Sequence, residues 1–221
     1  MKIKGAIFDM DGTLIDSLFF WERFWQSIGE RYFNTSCFQV DVALEKRLRT
    51  SIYPNTLRIV AEEFHITDEN FFDDYLQFLS DFYRYEISAK AGAQELLSCL
   101  KEQGIAICVA SASGVSDLDV ALRACGLRSY IDSLHSCDDV GVGKERPDVF
   151  FKAADSMGLS ASEVCVVEDS FLALETAKAA GFHTVGVYDR YSYEQDRLRA
   201  AAEIYLGKEK TLADLMEQIQ F

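Results

Sequence analysis

The stretch IFDMDGTLIDS at positions 7–17 places two carboxylates, Asp9 and Asp11, directly after an apolar run and around a Gly-Thr turn. Carboxylates at the end of a buried strand cost much free energy to desolvate unless a cation or a reaction uses them. In an open α/β sheet, ligands bind at this carboxyl edge of the strands. A strand that runs into an Asp-Gly turn is also common without any function, so the rest of the chain decides between the two interpretations.

Further polar groups follow predicted strands or lie in the loop between two of them. Ser111 stands in CVASAS, Lys144 in the Gly-rich loop DDVGVGKERPD, and the acidic pair Glu168 and Asp169 in VVEDS. Each has an ordinary explanation, because serine and acidic residues often cap helices and lysine is usually solvated. The carboxyl ends of parallel strands meet at one edge of a sheet, however, so we expect acids, a hydroxyl and a cation to converge there.

From about Gly92 onward, helical and strand patterns alternate along the chain. The predicted helices cover 92–104, 115–126, 147–158 and 170–181, and the predicted strands cover 105–111, 131–136, 163–169 and 183–188. Each predicted helix ends at a glycine, the residue that most often follows a helix. Near-continuous apolar strands between helices are typical of a parallel sheet with helices on both faces. The sequence therefore predicts an α/β fold with a Rossmann-like parallel sheet.

The segment 17–88 interrupts this alternation, because it lacks strand patterns and is rich in aromatic residues at helical spacing. Two such faces consist of Leu18, Trp21, Trp25 and Ile28, and of Phe71, Tyr75, Phe78 and Phe82. Faces of this kind usually form the core of a small helical bundle. We predict a core domain of residues 1–16 and 89–221, with a helical cap of residues 17–88 inserted after the first strand. The insert should lie above the strand end that carries Asp9.

Composition limits the classes of partner. The 221 residues include 49% hydrophobic residues, which excludes a disordered chain, and the formal net charge is −14. That charge argues against binding to nucleic acid or to anionic membranes, but not against a small anionic ligand in a locally neutralised pocket. We identify no signal peptide and no stretch long enough to span a membrane. The six cysteines form no Cys-x-x-Cys pair, which indicates reduced thiols and a cytoplasmic location.

The residues described so far also carry a family resemblance: the chain resembles the haloacid dehalogenase superfamily of hydrolases. The four short motifs of that family occur in order, as the DMDGT turn, Ser111 after a strand, Lys144 before a helix, and the acidic pair Glu168 and Asp169. The resemblance covers the whole chain, and the segment 17–88 is similar to the family's cap. Within the family the sequence is most similar to the β-phosphoglucomutase-like phosphatase branch, through ASAS, GKERPD and VVEDSFLALETAKAAG.

The resemblance implies a Mg²⁺-dependent phosphatase that acts on a small phosphorylated metabolite such as a sugar phosphate. It also implies that Asp9 attacks phosphorus to form an aspartyl-phosphate, while Asp11 protonates the leaving oxygen and then activates water. The implied metal ligands are Asp9, the main-chain carbonyl of Asp11, Asp169 and, in or near the shell, Glu168. The implied phosphate-binding groups are Ser111, the amide of Ala112, and Lys144. A phosphomonoester carries nearly two negative charges, so a carboxylate nucleophile needs such cations to approach it.

Two departures from the family pattern bear on the reaction. Relatives that isomerise glucose phosphates carry a histidine on the first cap helix where this chain has Trp21, and an indole cannot gate protons as an imidazole does. A β-phosphoglucomutase-type phosphoryl transferase is therefore the second candidate. In addition, Glu145 replaces the proline that follows the lysine in many relatives, and it adds a negative charge beside Lys144.

Other activities of the fold fit the sequence less well. A haloacid dehalogenase usually lacks the second aspartate, so Asp11 argues against that activity. A phosphonate hydrolase needs a Schiff-base lysine that reaches from the cap, and Lys46 is the only lysine well inside the insert. A catalytically silent binding module has usually lost an aspartate or the lysine, whereas all are present here. The sequence indicates neither the identity of the substrate nor an oligomeric state.

Overall fold

The computed structural model, which describes residues 2–49, 51 and 53–219, is organised around a parallel sheet. The strands of the chain are β1 (Gly5–Phe8), β2 (Ile15–Asp16), β3 (Ser88–Ala89), β4 (Ala106–Ser111), β5 (Ser133–Ser136), β6 (Val164–Glu168), β7 (His183–Val187) and β8 (Ile204–Leu206). Six of these strands form one sheet in the order β5-β4-β1-β6-β7-β8, and all neighbours in it are parallel. The predicted α/β fold is confirmed.

The described residues also form nine α-helices. They are α1 (Phe20–Tyr32), α2 (Val42–Arg49), α3 (Tyr53–Glu63), α4 (Phe71–Tyr85), α5 (Ala93–Glu102), α6 (Val115–Ala124), α7 (Asp148–Met157), α8 (Phe171–Ala179) and α9 (Gln195–Ala201). At the end of α7, Gly158 has a φ of 69°, a left-handed conformation that favours glycine. The four helices predicted after Gly92 correspond to α5–α8. Among the described residues, no helix has the length and apolar character needed to cross a membrane.

The central strand β1 is buried on both of its faces. Ala6 and Phe8 lie in one hydrophobic cluster together with Leu118 of α6, whereas Ile7 lies in a second cluster with Phe150 of α7. Successive side chains of a strand point to opposite faces of the sheet. Helices therefore cover both faces, which explains why the sequence of β1 is apolar without alternation.

The cysteines of the sheet are packing residues. Cys108 of β4 and Cys165 of β6 are completely buried, and each of the six cysteines in the chain is a free thiol. Burial raises the pKa of Cys165 to about 12, so its thiol stays protonated. These cysteines behave as small apolar residues of the core.

The segment between β2 and β3 contains α1–α4, and aromatic side chains fill its interior. Phe24 of α1 is completely buried, and its ring centroid lies 4.8 Å from that of Trp25 and 5.3 Å from that of Tyr75 on α4. Such ring pairs each contribute about 0.5–1.5 kcal/mol beyond the area they bury. Six of the eight residues predicted on the two aromatic faces are buried, whereas Leu18 lies before α1 and Phe78 is half-buried.

A short ribbon joins the bundle to the sheet. The strands β2 and β3 are antiparallel, with Ile15 opposite Ala89 and Asp16 opposite Ser88. This ribbon lies where the sequence predicts the limits of the cap, at 16/17 and 88/89. The division of the chain into a core domain and a cap domain stays a prediction, although the ribbon gives it a physical boundary.

Candidate active site

Side chains from three neighbouring strands meet at the carboxyl edge of the sheet. Asp9 follows β1, Ser111 ends β4, and Glu168 ends β6. The register pairs Phe8, the last residue of β1, with residues near the ends of both neighbouring strands. Because parallel strands in register end at the same level, their last side chains and those that follow them share one edge.

Lys144 connects two of these strand ends. It lies in the loop before α7, its side chain is 11% exposed, and its ammonium group contacts the carboxylates of Asp9 and Glu168, the latter at 2.5 Å. Burial by itself lowers the pKa of Lys144, but the two carboxylates raise it above its ordinary value. The loop therefore holds a permanent positive charge beside Asp9.

Asp9, Glu168 and Asp169 form a buried group whose carboxylate oxygens lie within 4.8 Å of one another. Burial raises the pKa of all three, and together with the charge of Asp9 it brings the pKa of Glu168 to about 8 and that of Asp169 to about 7. A divalent cation would offset the repulsion among these carboxylates. Because the group offers only oxygen ligands, it fits a hard ion such as Mg²⁺.

Two hydroxyl groups orient Asp169 within this group. Thr13 Oγ1 donates to Asp169 Oδ1 at 3.0 Å, and Ser192 Oγ donates to Asp169 Oδ2. The turn that carries Thr13 lies close to Asp169. A Cβ at Gly12, where φ is 79°, would lie 2.7 Å from Asp169 Oδ2. Glycine is therefore required there both for the conformation and for the space. Ser192 follows β7 and belongs to no motif, so no sequence pattern predicts its contact with Asp169.

Asp11 lies beside the acidic group but has different partners. Three hydroxyls surround its carboxylate: Ser17 Oγ at 2.7 Å, Ser113 Oγ at 3.0 Å, and Tyr83 Oη at 3.0 Å from both carboxylate oxygens. Burial raises the pKa of Asp11, and the three hydrogen bonds partly oppose that shift. Tyr83 comes from α4, in the predicted cap. None of these three hydroxyl residues is a predicted site residue.

The remaining predicted residues lie on the same cavity. Ser111 is 2% exposed, and its hydroxyl accepts a hydrogen bond of 3.1 Å from the amide of Ser113 at the turn before α6. A cavity of about 600 Å³ opens above the strand ends. The predicted site residues that line it are Asp9, Asp11, Ser111, Ala112, Lys144, Glu168 and Asp169. The structure thus brings every residue of the predicted site to one cavity.

The helical segment forms the opposite wall of this cavity, through Trp21, Tyr53 and Leu79 among others. Arg49, at the end of α2, donates from Nε to Glu45 at 2.9 Å and from Nη1 to the main-chain oxygen of Tyr191 at 2.8 Å. Its guanidinium also lies over the ring of Trp21, at 5.6 Å. The loop after β7 therefore connects the two sides of the cavity, because it contacts Arg49 and also carries the hydroxyl that reaches Asp169.

Comparison with protein families gives one extended match. The family model described as haloacid dehalogenase-like hydrolase matches residues 3–181. That range contains the whole helical segment and all the motif residues from Asp9 to Asp169.

Comparison with individual proteins gives similar chains of known name. The phosphorylated carbohydrates phosphatase of Thermotoga maritima is 27% identical over 97% of this chain and 99% of its own length. Hexitol phosphatase A of Escherichia coli K12 is 28% identical over 85% of this chain and 84% of its own length. The crystal structure of a putative β-phosphoglucomutase from Thermotoga maritima has a TM-score of 0.75 and 24% identity, covering 98% of this chain and 99% of that one. The last similarity concerns the fold.

Proposed function

The chain belongs to the haloacid dehalogenase-like hydrolase family, and on that premise we propose that it is a Mg²⁺-dependent phosphatase that hydrolyses a small phosphomonoester through an aspartyl-phosphate intermediate. One observation carries the proposal. The ammonium group of Lys144 contacts Asp9, the first acid of the turn, while a separate set of hydroxyls holds Asp11, the second. Two neighbouring carboxylates in such different surroundings suit two different roles.

The metal would be held by Asp9, Asp169 and Glu168, together with the main-chain carbonyl of Asp11. The grouping of buried carboxylate oxygens supports this assignment. A bound divalent ion supplies positive charge that offsets the phosphate and lets an anionic nucleophile approach it. The side chain of Asp11 is left for proton transfer, because its partners among the described residues are hydroxyls rather than the carboxylate group.

In the first step, a carboxylate oxygen of Asp9 attacks phosphorus, and the bond between phosphorus and the leaving oxygen breaks. Asp11 donates a proton to that oxygen, so the product leaves as a neutral alcohol. In the second step, water attacks the phosphorus of the aspartyl-phosphate, and Asp11 takes up the proton that the water loses. Inorganic phosphate leaves, and the free carboxylate of Asp9 is restored.

The transferring phosphoryl group needs fixed donors around its remaining oxygens. We assign Ser111, the amide of Ala112, and Lys144 to this role. Ser111 is held in place by the amide of Ser113, and the charge of Lys144 is permanent and nearly buried. Donors that are fixed before the reaction stabilise developing charge without reorganisation.

The cavity and the relatives together support a sugar phosphate or a related polyol phosphate as substrate. Relatives are named for phosphorylated carbohydrates and hexitols, and a cavity of about 600 Å³ accommodates a molecule of that size. Trp21 offers an apolar wall to the carbon side of a sugar ring. Arg49 already pairs with Glu45 and with the main chain of Tyr191.

Release of inorganic phosphate tests the proposal. The panel contains hexose, pentose and hexitol phosphates, glycerol phosphate and nucleoside monophosphates, each with Mg²⁺ and with EDTA, and the Asp9→Asn variant is the control for contaminating phosphatases. We expect Mg²⁺-dependent release from at least one sugar or polyol phosphate by the wild-type protein alone. If no member of the panel releases phosphate, the chain is a silent binding module and the proposal is wrong.

A second assay separates hydrolysis from phosphoryl transfer. β-Glucose 1-phosphate is incubated with and without glucose 1,6-bisphosphate, and both glucose 6-phosphate and free phosphate are measured. Trp21 carries only a donor N–H and cannot exchange a proton with Asp11, so we expect rapid hydrolysis of the phosphoenzyme. Bisphosphate-dependent formation of glucose 6-phosphate with little free phosphate would establish the transferase instead.

A further inference from the structure

Tyr83 connects the helical segment to the second aspartate of the site. It lies near the end of α4, is 4% exposed, and its phenolic oxygen is 3.0 Å from each carboxylate oxygen of Asp11. The same oxygen is 3.1 Å from Ser113 Oγ, which itself donates to Asp11 at 3.0 Å. Two hydroxyls and one carboxylate therefore contact one another, and they come from α4, from the turn after β1 and from the turn before α6.

The position of Tyr83 within the fold makes this contact rigid. Its helix α4 packs against α6, and the ring of Tyr83 packs beside that of Phe82, with centroids 5.9 Å apart. A buried phenol on a packed helix can reach only a small volume, so its hydroxyl opposes rotation of a carboxylate that it contacts. The hydroxyl of Tyr83 therefore restricts the carboxylate of Asp11 from the side of α4.

We propose that Tyr83 is a positioning residue that fixes the carboxylate of Asp11 toward the leaving oxygen and makes this alignment depend on the docking of α4. The inference rests on the proposed function, because it concerns the proton that Asp11 delivers in the first step. A general acid is effective only within hydrogen-bond reach of the atom it protonates. Misalignment by about 1 Å is costly for a catalytic group, and Tyr83 is the contact from α4 that prevents it.

The Tyr83→Phe variant tests this role through the leaving group. It keeps the buried ring and removes only the hydroxyl. Alkyl phosphates leave as alcohols that need a proton from Asp11, whereas 4-nitrophenyl phosphate leaves as a stable anion that needs none. The measured quantity is kcat/KM, because it reports the first phosphoryl transfer and not the later release of phosphate.

We expect Tyr83→Phe to lower kcat/KM about 10-fold for alkyl phosphates and less than about 2-fold for 4-nitrophenyl phosphate, as for a partly misplaced general acid. The matched control is Tyr75→Phe. Tyr75 lies on the same helix, is 2% exposed, and donates or accepts a hydrogen bond of 2.9 Å with Ser27, away from the cavity. This control should leave the ratio of the two kcat/KM values unchanged.

A double variant makes the test stricter. If Tyr83 acts through Asp11, then Tyr83→Phe should cause no further loss on alkyl phosphates in an Asp11→Asn background. Equal losses on both substrate classes, or full additivity with Asp11→Asn, would overturn the positioning role while leaving the phosphatase intact. Absence of phosphate release by the wild-type protein from every alkyl and aryl phosphate would instead overturn the proposed function, and the inference with it.

Discussion

The edge of the sheet and the helical segment face each other across one cavity, yet they are built from different residues. The sheet edge consists of carboxylates and a serine at the strand ends and of a nearly buried lysine from the loop before α7. The helical segment is packed with aromatic rings, and its polar contribution reaches the site through single groups such as Tyr83 and Arg49. The difference suggests that the sheet edge performs the chemistry while the helical segment controls alignment and choice of substrate.

Substitutions in the two regions should therefore have different kinetic effects. Substitutions at the sheet edge should lower kcat for every phosphate ester, because all of them share the same phosphoryl transfer. Substitutions in the helical segment should alter KM or the dependence on the leaving group, because these depend on the rest of the substrate. The following four predictions test that division.

The largest effect is expected for Asp9→Asn. An amide oxygen is too weak a nucleophile to attack phosphorus, so turnover should fall to the background of the assay. Phosphoenzyme formation, measured by acid quench of the protein with a ³²P-labelled substrate, should disappear as well. The matched control is Asp155→Asn, which changes an exposed carboxylate on α7 outside the cavity and should keep wild-type activity. Turnover by Asp9→Asn that is clearly above the background of the assay would exclude the covalent mechanism.

Removal of the metal should have a similarly large effect on catalysis and a measurable effect on stability. EDTA should abolish activity and Mg²⁺ should restore it, with Ca²⁺ a poor substitute because its longer bonds and looser coordination disturb the alignment of the reacting groups. Mg²⁺ should also raise the Tm of the wild-type protein, since a ligand that binds only the folded state stabilises it.

The Asp169→Asn variant provides the control for this metal prediction. It removes one carboxylate of the group formed with Asp9 and Glu168, so the Mg²⁺-dependent increase in Tm should largely disappear. Its Tm in EDTA should equal or exceed that of the wild-type protein, because one source of buried repulsion is gone. An undiminished response to Mg²⁺ would show that the metal binds elsewhere.

The third effect is expected for Lys144→Ala. Loss of this ammonium group should lower kcat by about 10²–10³-fold with a smaller change in KM, as when one stabilising donor is removed from a transition state. The variant also leaves the carboxylates of Asp9 and Glu168 without their cation, so its Tm without metal should fall. Lys152→Ala, which removes an exposed lysine of α7 paired with Asp139, is the matched control. A rise in KM at constant kcat would place Lys144 in ground-state binding only.

The smallest effect is expected in the helical segment, for Trp21→Phe. Trp21 is 9% exposed and lines the cavity, so a smaller ring should change KM by up to about 10-fold from one sugar phosphate to another, as expected for altered packing against a substrate. The kcat for 4-nitrophenyl phosphate should change little. Trp25→Phe is the control on the same helix. It removes a buried indole N–H that has no hydrogen-bond partner, so the substitution breaks no hydrogen bond that stabilises the folded protein.

Uniform loss of kcat in Trp21→Phe on all substrates would contradict the division between the two regions. It would indicate that α1 takes part in the chemical step. The Tyr83→Phe experiment tests the same division with a second residue of the helical segment. This substitution is expected to slow only the reactions that need a proton from Asp11.

Much of the fold follows from local sequence pattern. The strands β4 and β6 are continuous apolar runs and the helices between them end at glycines, so each element is specified within about ten residues of chain. The strand β8 and the helix α9 were not predicted, because three and seven residues carry too little pattern. The same reasoning applies to the ribbon of β2 and β3, which consists of two residues on each side.

The sequence by itself determined the residues that end the strands, and through them the family, which the match over residues 3–181 confirms. Those residues stand in short motifs, because each must follow a strand directly. Only the tertiary structure decided which hydroxyls surround them. Tyr83, Ser192 and Thr13 reach their carboxylates across 72, 23 and 156 residues. No local sequence pattern predicts such contacts. They depend on how helices and loops pack, and not on the hydrophobic periodicity of any one helix or strand.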